Sequence, residues 1–185
     1  MILIDRTYFV GELSLPNIPA TTGGGASGGV AMALQTVGEN NLDVFVDKYV
    51  IDYLIRLLGK ELAQAFLEEI EKPTPDQIWT DLKSQLLIKF GSYNRSPLAN
   101  YVYFMVSRDA VTKTTTGGEA DPEFDFAKNV SNNNKLIKAW NDMADMTIPI
   151  KRWICEYADD YKDFMGCSSG RNICSIIQRI NEFGI

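Results

Sequence analysis

The sequence predicts a mainly α-helical protein: a helical bundle of about five or six helices, with short extended or β segments at the N-terminus, in an arm over residues 112–125 and in the C-terminal tail. Three observations predict it. From Leu42 onward apolar residues recur at three- and four-residue spacing, the period of a helix face rather than the alternation of a strand. Thr74-Pro75 and Ser96-Pro97 each set a hydroxyl side chain ahead of a proline suited to the first helical position. Gly59, Pro73, Gly91 and Gly166 fall where the periodic runs stop.

Residues 1–38 read as an extended N-terminal segment, with the β-prone runs MILI and YFVGELSL, a break at Pro16-Asn17-Ile18-Pro19 and a Gly-rich linker from Thr21 to Ala31. Gly23-Gly24-Gly25 is no phosphate loop, because no GK[ST] follows and the next lysine is Lys48. Residues 39–185 form the helical domain. Asn41 is the expected N-cap of a helix carrying Leu42, Phe45, Val46, Tyr49, Tyr53, Leu54, Leu57 and Leu58, and Gly59 turns the chain into an antiparallel partner from Lys60 to about Glu71. Thr74, Pro75 and Gln77 form a capping-box start for a helix to about Phe90, with Ile78, Trp79, Leu82 and Leu86 inward. Gly91 to Arg95 ends it, and Ser96-Pro97 opens a helix that closes near Val111.

Beyond the arm, Asn132-Asn133-Asn134 precedes a helix burying Leu136, Ile137, Trp140, Met143 and Ala144, so Trp79 and Trp140 are both expected in the core. Pro149 then separates it from another amphipathic segment with Trp153, Ile154, Tyr157, Tyr161 and Phe164, closed by Gly166. Ile173 to Ile185 fits either helix or strand.

Composition excludes much chemistry. The chain of 185 residues contains no histidine, which removes Ser-His-Asp and Cys-His nucleophiles and His-ligated zinc. Its net charge of -6 disfavours sequence-specific nucleic-acid binding and anionic membranes as partners. Cys155, Cys167 and Cys174 show no CxxC spacing and read as reduced structural thiols. MILIDRTYFV lacks the apolar core of a signal peptide, and no run is long enough for a membrane helix. Ser168-Ser169-Gly170 has neither a GxSxG context nor a base.

The densest acidic cluster is Glu156, Asp159, Asp160 and Asp163, of which Glu156, Asp160 and Asp163 share a face if the helix continues. Such a face is ordinarily solvated; as metal ligands of a small carboxylate-dependent hydrolase it forms the main alternative reading, and a monomeric helical interaction protein is a third. Tyr101, Tyr103 and Phe104 lack the interleaved basic residues of a base-stacking platform and are expected to pack in the core or between subunits. In the arm, four threonines favour extended backbone and Gly117-Gly118 permits reversal, giving a hairpin with little to bury in its own subunit. Arg108 and Asp109 at its base, with Thr114, Thr115, Thr116, Gly117 and Gly118, are the expected assembly contacts.

LDVFVDKYVIDYLIRLLGKELAQAF (Leu42 to Phe66), SPLANYVYFMVSRDAVTKTTTGGE (Ser96 to Glu119), SNNNKLIKAWNDM (Ser131 to Met143) and INEFGI (Ile180 to Ile185) together resemble a family of uncharacterised proteins from phages and prophages of Bacteroidetes. Its members look like head-tail connector, adaptor or neck-ring proteins, the components below the portal of tailed phages. The resemblance implies a non-catalytic structural protein without cofactor or metal. Its implied partners are its own copies in a ring and the portal or tail-completion proteins. Its implied location is the virion, assembled in the bacterial host cytoplasm.

Overall fold

The helical period that begins at Leu42 is realised as one long helix, α1 (Gly29–Leu58), followed by α2 (Lys60–Ile70), α3 (Gln77–Leu86), α4 (Pro97–Val111) and α5 (Asn133–Glu156). These elements come from a computed structural model that describes residues 3–15, 29–91, 93–111, 113–115, 118–120, 133–161 and 177–180. Two short hairpins interrupt the helices, β1 (Ile88–Phe90) with β2 (Tyr93–Arg95) and β3 (Lys113–Thr115) with β4 (Gly118–Ala120). The predicted class, mainly α with short extended segments, is the one found.

Several boundaries differ from expectation. α1 begins at Gly29, so Asn41 is not its cap and the division expected between residues 38 and 39 falls inside a helix. Ala31, Met32, Ala33, Leu34 and Gln35 are good helix formers, and they carry the helix through Gly38 despite the cost of about 1 kcal/mol that an interior glycine brings. The rest of the glycine-rich stretch, 16–28, lies outside the described residues. Nor do the described N-terminal residues form a strand: they make two 3-10 turns, Arg6–Tyr8 and Gly11–Leu13. With no neighbouring strand to pair with, this segment is fixed by burial of Leu3, Ile4, Tyr8, Phe9, Leu13 and Leu15 in the main core. Asn94 Nδ2 donates to Thr7 Oγ1 at 2.9 Å and ties the segment to β2.

Gly59 lies between α1 and α2 at φ 84, a conformation that side chains with a Cβ rarely adopt, so this glycine does turn the chain. α3 starts two residues after Pro75, with Asp76 preceding it. Gln77 spends its amide on Asp81 Oδ1 at 2.7 Å, one turn ahead, and the expected capping box is not formed. The helix ends at Leu86 rather than near Phe90, because residues 88–90 pair antiparallel with 93–95 in the register Ile88↔Arg95, Lys89↔Asn94 and Phe90↔Tyr93. Gly91, at φ 59, permits the reversal.

Ser96-Pro97 starts α4 as expected. The buried Ser96 Oγ accepts from the Leu98 N–H at 3.2 Å and donates to the Leu86 carbonyl at 2.8 Å, which joins the end of α3 to the beginning of α4. α5 runs through Pro149 as one helix instead of two. An interior proline costs on the order of 3 kcal/mol. The buried stripe Met143, Ala144, Thr147, Ile150 and Ile154 continues across it and offsets that cost by packing on both sides.

α4 is held between α1 and α5. Tyr101 of α4 packs on Tyr53 of α1, ring centroids 5.6 Å apart, and on Trp140 of α5 at 6.2 Å. Asn100 Nδ2 donates to the Ala139 carbonyl at 3.2 Å. Between α1 and α5, the buried Tyr53 hydroxyl and Thr147 Oγ1 lie 2.7 Å apart, while Thr147 donates to the Met143 carbonyl at 2.7 Å. Trp79 is buried against Phe66 and Tyr161, at 6.3 and 5.5 Å. Trp140 is only partly buried, contrary to expectation, because its indole N–H reaches outward to the Gln178 carbonyl at 2.7 Å.

Trp79→Ala is therefore expected to lower the unfolding free energy in urea by about 3–5 kcal/mol. Trp140→Ala is expected to cost less and to expose the amides of residues 177–180 to hydrogen exchange; equal losses for both variants would contradict this division.

Candidate functional site

The arm expected over 112–125 takes shape as the β3–β4 hairpin, whose register is Lys113↔Ala120, Thr114↔Glu119 and Thr115↔Gly118. It follows directly on α4, the helix held by neighbours on two sides. Both strands belong to a two-stranded sheet, so each keeps one unpaired edge within the described structure. Of the expected contact residues, Arg108 is exposed near the end of α4, Asp109 belongs to its last turn, and Thr114, Thr115 and Gly118 lie in the strands. Thr112, Thr116, Gly117 and residues 121–125 fall outside the described residues.

The acidic face does not form as expected. α5 stops at Glu156, and Asp159 and Asp160 lie in a 3-10 turn, Ala158–Tyr161, which rotates them off the α-helical register. Asp163, Cys167, Ser168, Ser169, Gly170 and Cys174 lie outside the described residues. Among the described residues no three His, Cys, Asp or Glu side chains are grouped to hold a metal ion. Asp160 instead borders a cavity of about 250 Å³, with Asp81, Trp153, Tyr157 and Tyr161. The Tyr161 hydroxyl donates to the Ile78 carbonyl at 2.9 Å; burial, then the charges of Asp160 and Asp81, push its pKa upward.

Tyr101 and Tyr103 are buried and Phe104 is half-buried, so the aromatic group belongs to the core, the first of the expected alternatives. Tyr101 also takes part in an arrangement that the sequence pattern did not reveal. Its hydroxyl donates to Asp52 Oδ2 on α1, and the same oxygen accepts from Arg56 Nε at 2.9 Å. Residues 52 and 56 sit one helical turn apart, a visible pairing, but the partner 49 residues away on α4 follows only from tertiary packing. Burial raises the Tyr101 pKa, reinforced by the bond to Asp52 and its charge. For Asp52, burial acts upward, but the bonds from Arg56 and Tyr101 and the charges of Arg56 and Lys48 outweigh it and hold the carboxyl below its ordinary value.

At the opposite edge of α5, Asn141 grips the backbone of Ile180: its Nδ2 donates to the carbonyl at 3.0 Å and its Oδ1 accepts from the N–H at 2.8 Å. With the Trp140 bond to Gln178, this fixes residues 177–180 along the helix. No helix among the described residues is long and apolar enough to cross a membrane. No protein-family model, curated protein or solved structure matches the chain.

A carboxyl whose pKa is lowered by folding stabilises the protein above its unfolded value, near 3.8, and loses that contribution as pH falls through the folded value. The urea midpoint is thus expected to fall on acidification below about pH 4, and Asp52→Asn to flatten part of that dependence. Because the Asp52–Arg56 pair is partly exposed, the effect is expected below about 1 kcal/mol. An identical acid profile in the variant would contradict the assignment.

Proposed function

We propose that this protein is a non-catalytic assembly component, a head-tail connector of a tailed phage that joins its own copies in a ring and contacts the portal or tail-completion proteins. The β3–β4 hairpin carries this reading. A two-stranded hairpin is marginally stable in water by itself, and among the described residues neither strand has a partner on its outer edge. A strand from a neighbouring subunit satisfies those groups by β-augmentation, with threonines at 114 and 115 suited to the extended backbone. The hairpin follows in the chain on α4, whose first three turns are packed in the core. A head-to-tail contact of this kind closes into a ring when the rotation per subunit divides a full turn.

The resemblance carried by residues 42–66 and 96–119 supports the same reading, since the second of these stretches contains the end of α4 and most of the hairpin. The metal-dependent hydrolase gains no such support, because Glu156 and Asp160 do not share a continuous α-helical face.

Deleting residues 113–120 is expected to leave helical content and melting temperature nearly unchanged while abolishing incorporation into virions. Virions that incorporate the deletion at the normal level would refute the proposal; a large fall in melting temperature would instead show that the arm belongs to the core.

A further inference from the structure

The cavity between α3 and the end of α5 combines two carboxylates with aromatic walls. Asp81 of α3 and Asp160 of the 3-10 turn Ala158–Tyr161 both line it, together with Trp153, Tyr157 and Tyr161. The Tyr157 N–H donates to the Trp153 carbonyl at 3.1 Å, which sets the two side chains one turn apart with ring centroids 4.9 Å from each other. Trp153 lies 6.2 Å from Tyr161, so the three rings form one continuous aromatic surface. No lysine or arginine among the described residues lines the cavity. Neither carboxylate has a cationic partner among them: Asp81 accepts a neutral amide N–H from Gln77 at 2.7 Å, and Asp160 forms no ion pair.

The hydroxyl groups around these carboxylates have already used their protons. Ser84 donates to the Thr80 carbonyl and Tyr161 to the Ile78 carbonyl, each at 2.9 Å. Such a lining repels an anion. A divalent cation needs a fuller set of oxygen ligands, and among the described residues no three carboxylates are grouped to supply it. An ammonium is a point charge that answers the carboxylates but cannot stack. A guanidinium does both, because it is planar, lies on an aromatic face and donates paired N–H groups to a carboxylate.

The volume of about 250 Å³ falls below the range of about 300–1,000 Å³ typical of small-molecule sites. The cavity also opens on the surface, where Tyr157 is 47% exposed and Asp81 and Asp160 are exposed. That shape admits the head of one side chain from outside rather than enclosing a free molecule. We propose that this cavity receives a single arginine side chain of a partner protein chain, its guanidinium stacked on Trp153 and Tyr157 and paired with Asp81 and Asp160. Arginine seated in a pocket is a common anchor of protein interfaces. None of these residues belongs to the β3–β4 hairpin, so failure of either test leaves the other reading standing.

Nuclear magnetic resonance titration of the full chain with the capped peptide acetyl-Gly-Arg-Gly-amide, read at the Trp153 indole N–H and assigned with Trp153→Phe, tests this. Saturable shifts are expected with a Kd of about 1 mM, the scale of a single anchor side chain. The matching lysine peptide is expected to bind about fivefold or more weakly, since it neither stacks nor forks. Butylguanidinium, a free guanidine, is expected to bind no more tightly than the arginine peptide. Asp81→Asn and Asp160→Asn are each expected to weaken the arginine peptide about threefold or more, and Tyr157→Ala about twofold or more. All three positions are exposed, so these variants retain the fold. Asp159→Asn, in the same 3-10 turn but outside the cavity, is expected to bind as the unaltered chain does. Absence of saturable shifts, equal affinity for the lysine peptide, or a loss in Asp159→Asn as large as in Asp160→Asn overturns the proposal. Butylguanidinium binding about tenfold more tightly than the arginine peptide also overturns it, by making the occupant a free small molecule.

Discussion

The rest of the structure depends on the burial of α4 between α1 and α5, an apolar contact that succeeds because the polar groups caught in it are all paired. Ser96 bridges the end of α3 and the start of α4, Asn100 reaches the backbone of α5, and Tyr101 delivers its hydroxyl to Asp52 on α1. No buried side-chain nitrogen or oxygen among the described residues is left without a partner. Each bond contributes modestly, about 1 kcal/mol net, but an unpaired group in the same place costs the desolvation penalty in full. These partners therefore act less as sources of stability than as a constraint on register: a slide of α4 by one residue turns each side chain about 100° away from its partner. That fixes how α4 lies between its neighbours, ahead of the hairpin that follows it in the chain.

α5 is the second organising element, because its two sides do different work. One side carries the stripe of Met143, Ala144, Thr147, Ile150 and Ile154 into the core, and that stripe holds the helix together through Pro149. The other edge binds the backbone of Ile180 through Asn141 and leaves Ile148 exposed beside Lys151 and Arg152.

Local signals in the sequence located the helices well and their limits less well. Ser96-Pro97 and Gly59 were legible because a cap and a left-handed glycine act through their immediate neighbours. The hairpin at 113–120 was legible for the same reason, its threonines and glycines being strand and turn chemistry in short compass. Pro149 does not divide its helix because the buried stripe outweighs its local cost, and Asn41 does not start one because a good cap residue is also tolerated inside a helix whose flanks favour helix. Lys89 and Asn94 gave no hint of pairing, since three-residue strands have too few positions for a pattern. The Asp52–Tyr101 bond and the surroundings of Lys151 join residues far apart in the chain, and one-dimensional periodicity carries no information on either. The acidic group illustrates the converse: its spacing was real, but the helix it needed stopped at Glu156.

Hydrogen exchange on the full chain, measured alone and again in the ring assembly that the proposal expects, addresses the central claim most directly: a helical body carries an open-edged arm completed by a neighbour. The account predicts strong protection of α4 amides in both states, with residues 113–115 and 118–120 exchanging rapidly in the isolated chain and becoming protected on assembly. Hairpin amides already protected as strongly as α4 in the isolated chain, or equally unprotected in the ring assembly, would contradict it.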